Sequence, residues 1–325
     1  MNRLFRWDQM GLFLLALAAG ILPFAVPEVC AAALREGLAL CSGPLLLSLF
    51  PFLVVSRLLV QCPESDLLAL PFRLAAWGIG IRTPCAARVL CIGFLGGFAP
   101  AASAAAQAVR TGQLTAEEAD ALLPACICSG PSFVVLTVGQ SLLGSAELGV
   151  LLFASQITAN YLTAALLNRF AGVRSVKPGS AAQASPAPPR LDEILADAAI
   201  TYCKLCGFIL FFRMLAAGAG ALLPTGAGTL CAILLEVCSG CDLASRTGRW
   251  GSLLCCAALS VQGLSVLLQV RTICPPEMTL RPLYRARMLH LPLSLALFYL
   301  LLPGGEADVF STCLLYTSPS PRDCS

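Results

Sequence analysis

The chain has 325 residues, of which 58% are hydrophobic and only 12% are charged. A soluble domain carries about 25% charged residues, so this chain lacks the polar side chains that would cover a water-soluble globule. The net charge of +3, without a run of Lys or Arg, argues against a nucleic-acid partner. We therefore predict an all-α polytopic membrane protein in a lipid bilayer, and its association into a homo-oligomer stays open.

The first apolar run, residues 10–27, follows a basic N-terminus and resembles either a signal peptide or a transmembrane helix. Because the rest of the chain is equally apolar, we expect a retained helix. Six further runs approach or exceed the roughly 20 residues that a spanning helix needs. They are residues 38–60, 89–109, 147–169, 199–223, 250–270 and 287–303, which gives about seven transmembrane helices.

Basic residues near the ends of these runs predict the orientation, because Lys and Arg concentrate in cytoplasmic loops. They occur at Arg3 and Arg6, in the loop 61–88, in a Pro/Ala/Ser-rich linker at 173–190, and between Arg271 and Arg287. The N-terminus is therefore expected in the cytoplasm, with the chain passing the membrane several times.

Two apolar runs contain central breaks. Run 121–143 includes Ser129-Gly130-Pro131, and run 227–245 includes Ser239-Gly240. Under the orientation above, each run begins and ends on the outer face, which predicts two re-entrant helical hairpins. Lipid cannot satisfy the backbone groups of a hairpin tip, so each tip must lie in protein or line a wet cavity, as in many transporters.

The linker divides the chain into an N-terminal membrane half, 1–172, and a C-terminal half, 191–312. Cys-Ser-Gly occurs at both breaks, and Ser-x3-Gln occurs as Ser103/Gln107 and Ser265/Gln269. These recurrences make an inverted repeat a hypothesis. The last residues, 313–325, contain "CLLYTSPSPRD", which resembles a translated sequencing adapter, and we exclude them from the fold.

The breaks point to a site for a small anionic substrate. Freed N–H groups at the start of a half-helix carry partial positive charge and favour anions. The hydroxyl and amide side chains at or near the breaks add hydrogen-bond donors. The predicted binding residues are Ser129, Gly130, Ser132, Ser239, Gly240, Gln107 and Gln269. Helix capping by the serines and interhelical bonding by the glutamines are equally good interpretations.

The clearest ionisable residues within predicted membrane segments are Arg213 in "FILFFRMLAAG" and Glu236 in "AILLEVCSGC", whereas Arg57 and Lys204 lie nearer the predicted interface. A charge at the bilayer centre costs at least about 2.5 kcal/mol, so such residues usually serve function. We predict substrate binding by Arg213 and ion coupling by Glu236. An internal ion pair between them is the structural alternative.

No enzyme motif stands at a plausible water interface, so we predict that the protein is not an enzyme. Two CxxC pairs, Cys203/Cys206 and Cys238/Cys241, lie in apolar runs with a single His in the chain. Cys behaves there as a small hydrophobic residue, and no metal or cofactor is expected.

Several stretches together resemble a known family. They are "PLLLSLFPFLVVSRLL", "GFLGGFAPAASAAAQAVRTGQLTAEEADALLPACICSGPSFV", "LLEVCSG" and "QGLSVLLQVRTI", followed by "LRPLYRARMLH". Over residues 35–292 the chain is similar to YlbJ-type sporulation integral membrane proteins of the nucleoside-recognition (gate) domain superfamily. It departs from the family at Cys128-Ser129, where paired Asn is usual, and at Gly97-Phe98-Ala99-Pro100, where Gly-Tyr-Pro is usual.

The resemblance implies a role in endospore formation. Members of this family are implicated in moving dipicolinate, a rigid dianion, from the mother cell towards the forespore. It therefore implies a location in a bacterial cell membrane, either that of the mother cell or the outer forespore membrane. A nucleoside or other small-molecule transporter, or a non-transporting structural protein of sporulation, are the alternatives.

Overall fold

The computed structural model describes residues 2–61, 66–172 and 190–302. Most of the predicted linker and all of the predicted tail lie outside these ranges. The first half of the described chain contains α1 (Asn2–Ala25), α2 (Pro27–Ser42), α3 (Pro44–Gln61), α4 (Leu70–Gly78), α5 (Pro84–Gly96), α6 (Phe98–Arg110), α7 (Ala116–Cys126), a π-helical segment (Ser132–Leu142) and α8 (Ala146–Ala171). The second half contains α9 (Leu191–Leu222), α10 (Thr225–Leu235), α11 (Val237–Ser245), a 3-10 turn (Gly248–Trp250), α12 (Gly251–Val261), α13 (Gly263–Ile273) and α14 (Arg281–Leu301).

Four helical stretches are long and apolar enough to cross a membrane: Pro27–Leu47, Ala146–Ala171, Leu191–Leu222 and Gly248–Ile273. Strands are absent from the described residues. The prediction of an all-α, membrane-embedded protein is confirmed at this level.

Helices α8 and α14 pack against each other in opposite directions. Gln156 of α8 donates to Ser294, and Asn160 accepts from Arg287, so residue numbers rise on one helix as they fall on the other. The ends of α8 are fixed locally. Ser145 accepts a hydrogen bond from the backbone N–H of Leu148, and Gly172 ends the helix in the left-handed conformation.

Helices α5 and α6 fold back on each other at Gly97, so the predicted continuous span 89–109 is wrong. A Cβ on Gly93 would lie 3.2 Å from the Cβ of Ala101. Near the other end of the pair, Arg88 donates to Gln113 over 2.8 Å. Gly97 has φ +80°, a conformation that glycine adopts without strain, and the small residues of α6 let the arms approach closely.

The segment 116–142 runs in one direction along α8, so the predicted hairpin at 121–143 is also wrong. Asn168, near the end of α8, donates to the carbonyl of Ala121. Asn160, in the middle, donates to the carbonyl of Ile127. Gly149, near the start, lies against the backbone of Val135. The segment is therefore one helix interrupted at residues 127–131.

The second half repeats this order. Helices α10 and α11 fold back at Glu236, since a Cβ on Gly240 would lie 2.8 Å from the Cα of Ile233. The predicted span 250–270 is interrupted between α12 and α13, where Gln262 and Gly263 have φ values of 66° and 69°. Each half thus contains a helical hairpin, then an interrupted helix, then a long helix.

Candidate functional site

The interruptions of the two hairpins and the two broken helices meet at one place. A Cβ on Gly97 would lie 2.6 Å from the backbone nitrogen of Gly130. Gln262 Nε2 lies 3.4 Å from Ser129 Oγ. A Cβ on Gly263 would lie 3.0 Å from the backbone nitrogen of Glu236. Each hairpin tip is therefore in contact with the break of the interrupted helix from its own half, and the two breaks are bonded to each other.

A cavity of about 60 Å³ opens between these breaks. Its polar lining comes from the first break, the second hairpin tip and α13: Ser129, Gly130, Ser132, Glu236 and Gln269. The aromatic lining is Phe98 and Phe133, and aliphatic side chains complete the wall. We call this space the central cavity.

The first break leaves some backbone groups satisfied and others free. The carbonyl of Ile127 accepts from Asn160 and from Arg287 Nη2, the latter over 3.0 Å. Within the described chain, no hydrogen bond reaches the backbone N–H groups of Cys128, Ser129 or Gly130. Buried side chains therefore satisfy the Ile127 carbonyl at this break, whereas the backbone N–H groups that follow it have no partner in the described chain.

At the second break, the donors are already used. Glu236 is 2% exposed and caps α11: its carboxylate accepts from the backbone N–H groups of Cys238 and Ser239 at 2.9 and 2.7 Å. The positive end of this half-helix is thus neutralised by the chain's own carboxylate. The structure therefore does not provide an anion site at each break: the N–H groups at the second break are occupied by Glu236.

Gln269 is the polar side chain that α13 contributes to the central cavity. Its Nε2 donates to Ser265 Oγ over 2.9 Å, one turn earlier on the same helix. Its Oε1 is buried and has no hydrogen-bond partner in the described part of the chain. An amide in this setting is able to rotate and present its NH2 group, since the Ser265 hydroxyl serves as donor or acceptor.

The remaining predicted site residues lie outside the lining of the central cavity. Gln107 is half-buried on α6. Arg213 forms an ion pair with Glu36 over 2.7 Å, between α9 and α2. The backbone N–H of Ser239 donates to Glu236, and Gly240 packs against Ile233. Both residues lie inside α11, so the predicted tip at Ser239-Gly240 is wrong by three residues: the chain folds back at Glu236. The geometry therefore brings together five of the nine predicted residues.

Sequence reasoning missed four residues that build this region. Gly97 follows another glycine shortly before a proline, a turn signal inside an apolar run. Gln262-Gly263 gives the same kind of signal in the second half. Arg287 was assigned to a cytoplasmic loop, but it is buried in α14 and donates to Ile127, Asn160 and Ser260. Arg287 lies six residues after the start of α14, and nothing in the local sequence indicates that its side chain reaches the first break.

Comparison with known proteins adds no relative: no family model, no curated protein and no solved structure matches the chain.

Proposed function

We propose that the protein is a membrane transporter for a small organic anion and that the substrate binds in the central cavity. One observation carries the proposal, which is the convergence of four helix interruptions around polar groups. Unpaired backbone at membrane depth is stable only where it is buried in protein or lines a cavity, and transporters place substrate sites at such breaks. A purely structural membrane protein has no need of this arrangement.

In the proposed topology, seven segments cross the membrane and two hairpins enter from opposite faces. The crossings are α1, α2 with α3, α7 with the π-helical segment, α8, α9, α12 with α13, and α14. The α5–α6 hairpin enters from the cytoplasm and the α10–α11 hairpin from outside, with the N-terminus in the cytoplasm. The antiparallel packing of α8 and α14 supports an inverted repeat built from the two halves.

The proposed substrate is dipicolinate, moved out of the mother cell across its membrane or the outer forespore membrane. Two features of the central cavity support this choice. Phe98 and Phe133 offer ring faces or edges to a planar aromatic ligand. The free N–H groups of Ser129 and Gly130, which line the cavity, are suitable donors to a carboxylate. Resemblance to the YlbJ-type sporulation proteins points to the same ligand.

Glu236 fits the role of a coupling site. A dianion beside this buried carboxylate is repelled unless a proton or metal cation binds as well. Two of the carboxylate's acceptor positions bond the α11 amides, and its remaining lone pairs are free for a cation. Obligatory binding of a cation with the anion follows from this charge balance.

A nucleoside is the second candidate substrate, and one observation favours it. No Lys or Arg lines the central cavity among the described residues, while two Phe and an amide do. Aromatic contact with a few well-placed polar groups is sufficient to bind a neutral base.

Uptake into proteoliposomes separates these candidates. The purified full-length protein is reconstituted, and uptake of radiolabelled dipicolinate is compared with that of uridine. We expect dipicolinate uptake to fall about three- to tenfold in Ser129→Ala and Gln269→Ala, since each loses one hydrogen bond to the substrate. Ser141→Ala and Gln140→Ala, which change exposed residues of the π-helical segment, are the matched controls. Uridine uptake alone would favour the second candidate, and uptake of neither would remove both.

A further inference from the structure

A second cavity lies where α3, α6 and α13 end and α9 begins. It has a volume of about 150 Å³ and is lined by three basic side chains and one acidic one: Arg57, Arg110, Lys204 and Asp197. We call it the basic vestibule. In the proposed topology it opens to the cytoplasm.

Arg57 is the fixed element of the vestibule. Its side chain is only 9% exposed. Its guanidinium donates to Asp197, to Thr201 Oγ1 over 3.2 Å and to Ser103 Oγ over 3.4 Å. These bonds connect α3 to α6 and α9, so the planar donor group is held in one orientation on the cavity wall.

The charges in the vestibule sum to +2. Arg57 and Asp197 cancel, whereas Arg110 and Lys204 are exposed and form no ion pair with the described residues. A dianion would therefore enter a cavity of matching charge. Since two charges of one sign at a narrow opening attract the opposite sign, the vestibule also raises the rate of encounter.

The two partners of the Arg57–Asp197 ion pair differ in exposure to solvent. The side chain of Asp197 is 62% exposed, so it is able to move into water at small cost while Arg57 stays buried. A ligand carboxylate that replaces it makes the same charge-assisted hydrogen bonds. Asp197 thus occupies the position that a ligand carboxylate would take.

Gln269 connects the two cavities, because it lines both the vestibule and the central cavity. Its buried Oε1 has no hydrogen-bond partner in the described chain. A ligand that leaves the vestibule for the central cavity passes this amide, which bonds a carboxylate after a half-turn about its last side-chain bond.

We propose that the basic vestibule is a first binding site for a small organic dianion on its way to the central cavity, with Asp197 holding the Arg57 guanidinium until a ligand carboxylate replaces it. The proposal rests on the transport function proposed above and adds to it the side of entry and the ligand charge. A path from the cytoplasm is the direction that export requires.

Equilibrium binding to the full-length protein in detergent tests the vestibule without any transport step. The probe is radiolabelled dipicolinate, and the uncharged pyridine-2,6-dicarboxamide serves as the competitor that should fail. We expect Kd to rise about three- to fivefold in Lys204→Gln and in Arg110→Gln, and to fall about threefold in Asp197→Asn. Arg249→Gln, at the opposite end of the bundle, should leave Kd unchanged.

The outcomes separate the vestibule from the transport proposal. Tighter binding by Asp197→Asn cannot come from misfolding, so it supports the vestibule directly. If the wild type binds and takes up dipicolinate and the Kd is the same in all three vestibule variants, the vestibule is not a binding site. The proposal for the central cavity is then unaffected. Absence of both binding and uptake by the wild type would overturn both proposals.

Discussion

A Cβ on Gly97 would lie 2.6 Å from the backbone nitrogen of Gly130, which is too close for two non-bonded atoms. The tip of the first hairpin therefore rests directly on the break of the first interrupted helix. Gly97 also has φ +80° and ψ −163°, a backbone region that is essentially restricted to glycine.

Gly97→Ala should lower the free energy of unfolding by about 3 kcal/mol, because it adds backbone strain to a steric clash. Thermal unfolding in detergent measures the change. Gly112→Ala is the matched control, since Gly112 has φ +70° with open space around its Cα. Equal losses of stability in the two variants would mean that strain, and not contact with Gly130, limits position 97.

Arg287→Ala should reduce both stability and uptake, because three acceptors at the first break and on neighbouring helices lose a buried donor. We expect a loss of about 2–3 kcal/mol. Arg287→Lys should not restore it, since an ammonium lacks the planar fork that reaches separate groups. Arg285→Ala, an exposed change on the same helix, should stay within about 0.5 kcal/mol of the wild type. Rescue by lysine would contradict this account.

Three substitutions of Glu236 separate its capping role from ion coupling. Glu236→Ala should lose about 1 kcal/mol, because the α11 amides lose their acceptor. Glu236→Asp retains both the cap and the charge. Glu236→Asn retains a cap without the charge, so it should stay folded and lose the dependence of uptake on a cation or proton gradient. The measurement is uptake with and without imposed gradients. Intact coupling in Glu236→Asn would assign Glu236 to structure alone.

Gln262 offers a test of the second break. Its φ of 66° strains any residue but glycine, and its side chain donates to Leu259 and Ser129. Gln262→Gly should be more stable than Gln262→Ala by about 1 kcal/mol, because both lose the hydrogen bonds but only glycine removes the strain. Chemical unfolding of the two variants side by side gives this difference. The reverse order of stability would show that this backbone conformation relaxes when the side chain is lost.

Labelling with a membrane-impermeant thiol reagent tests whether residues 84–110 form the hairpin and residues 116–142 cross the membrane. Glu117 and Glu147 are exposed residues in the first turns of α7 and α8. In intact cells carrying Cys203→Ser, the proposed topology predicts labelling of Glu147→Cys and protection of Glu117→Cys. The orientation predicted from sequence places both outside. Labelling of both would restore the original assignment of the hairpin.

The sequence by itself determined the all-α, membrane-embedded character, because so few charged residues cannot cover a soluble surface. It also located the first helix break, at Ser129–Pro131, because Gly and Pro together disfavour a continuous helix. The second break lies at Glu236, three residues before the predicted Ser239-Gly240, which the structure places inside α11. The division into two halves and the inverted repeat remain predictions from recurrences such as Ser103/Gln107 and Ser265/Gln269.

Only the tertiary structure decided which segment of the first half folds back. In one arrangement residues 89–109 cross the membrane and 121–143 form a hairpin, and in the other 84–110 form a hairpin and 116–142 cross. Both arrangements start α8 on the outer face, so the basic loops at 61–88 and 173–190 do not distinguish them. The choice depends on close contacts between residues far apart in sequence, such as Gly93 with Ala101 and Gly97 with Gly130. Likewise, the reach of Arg287 to Ile127 and the pairing of Arg213 with Glu36 follow from helix packing, which no local pattern encodes.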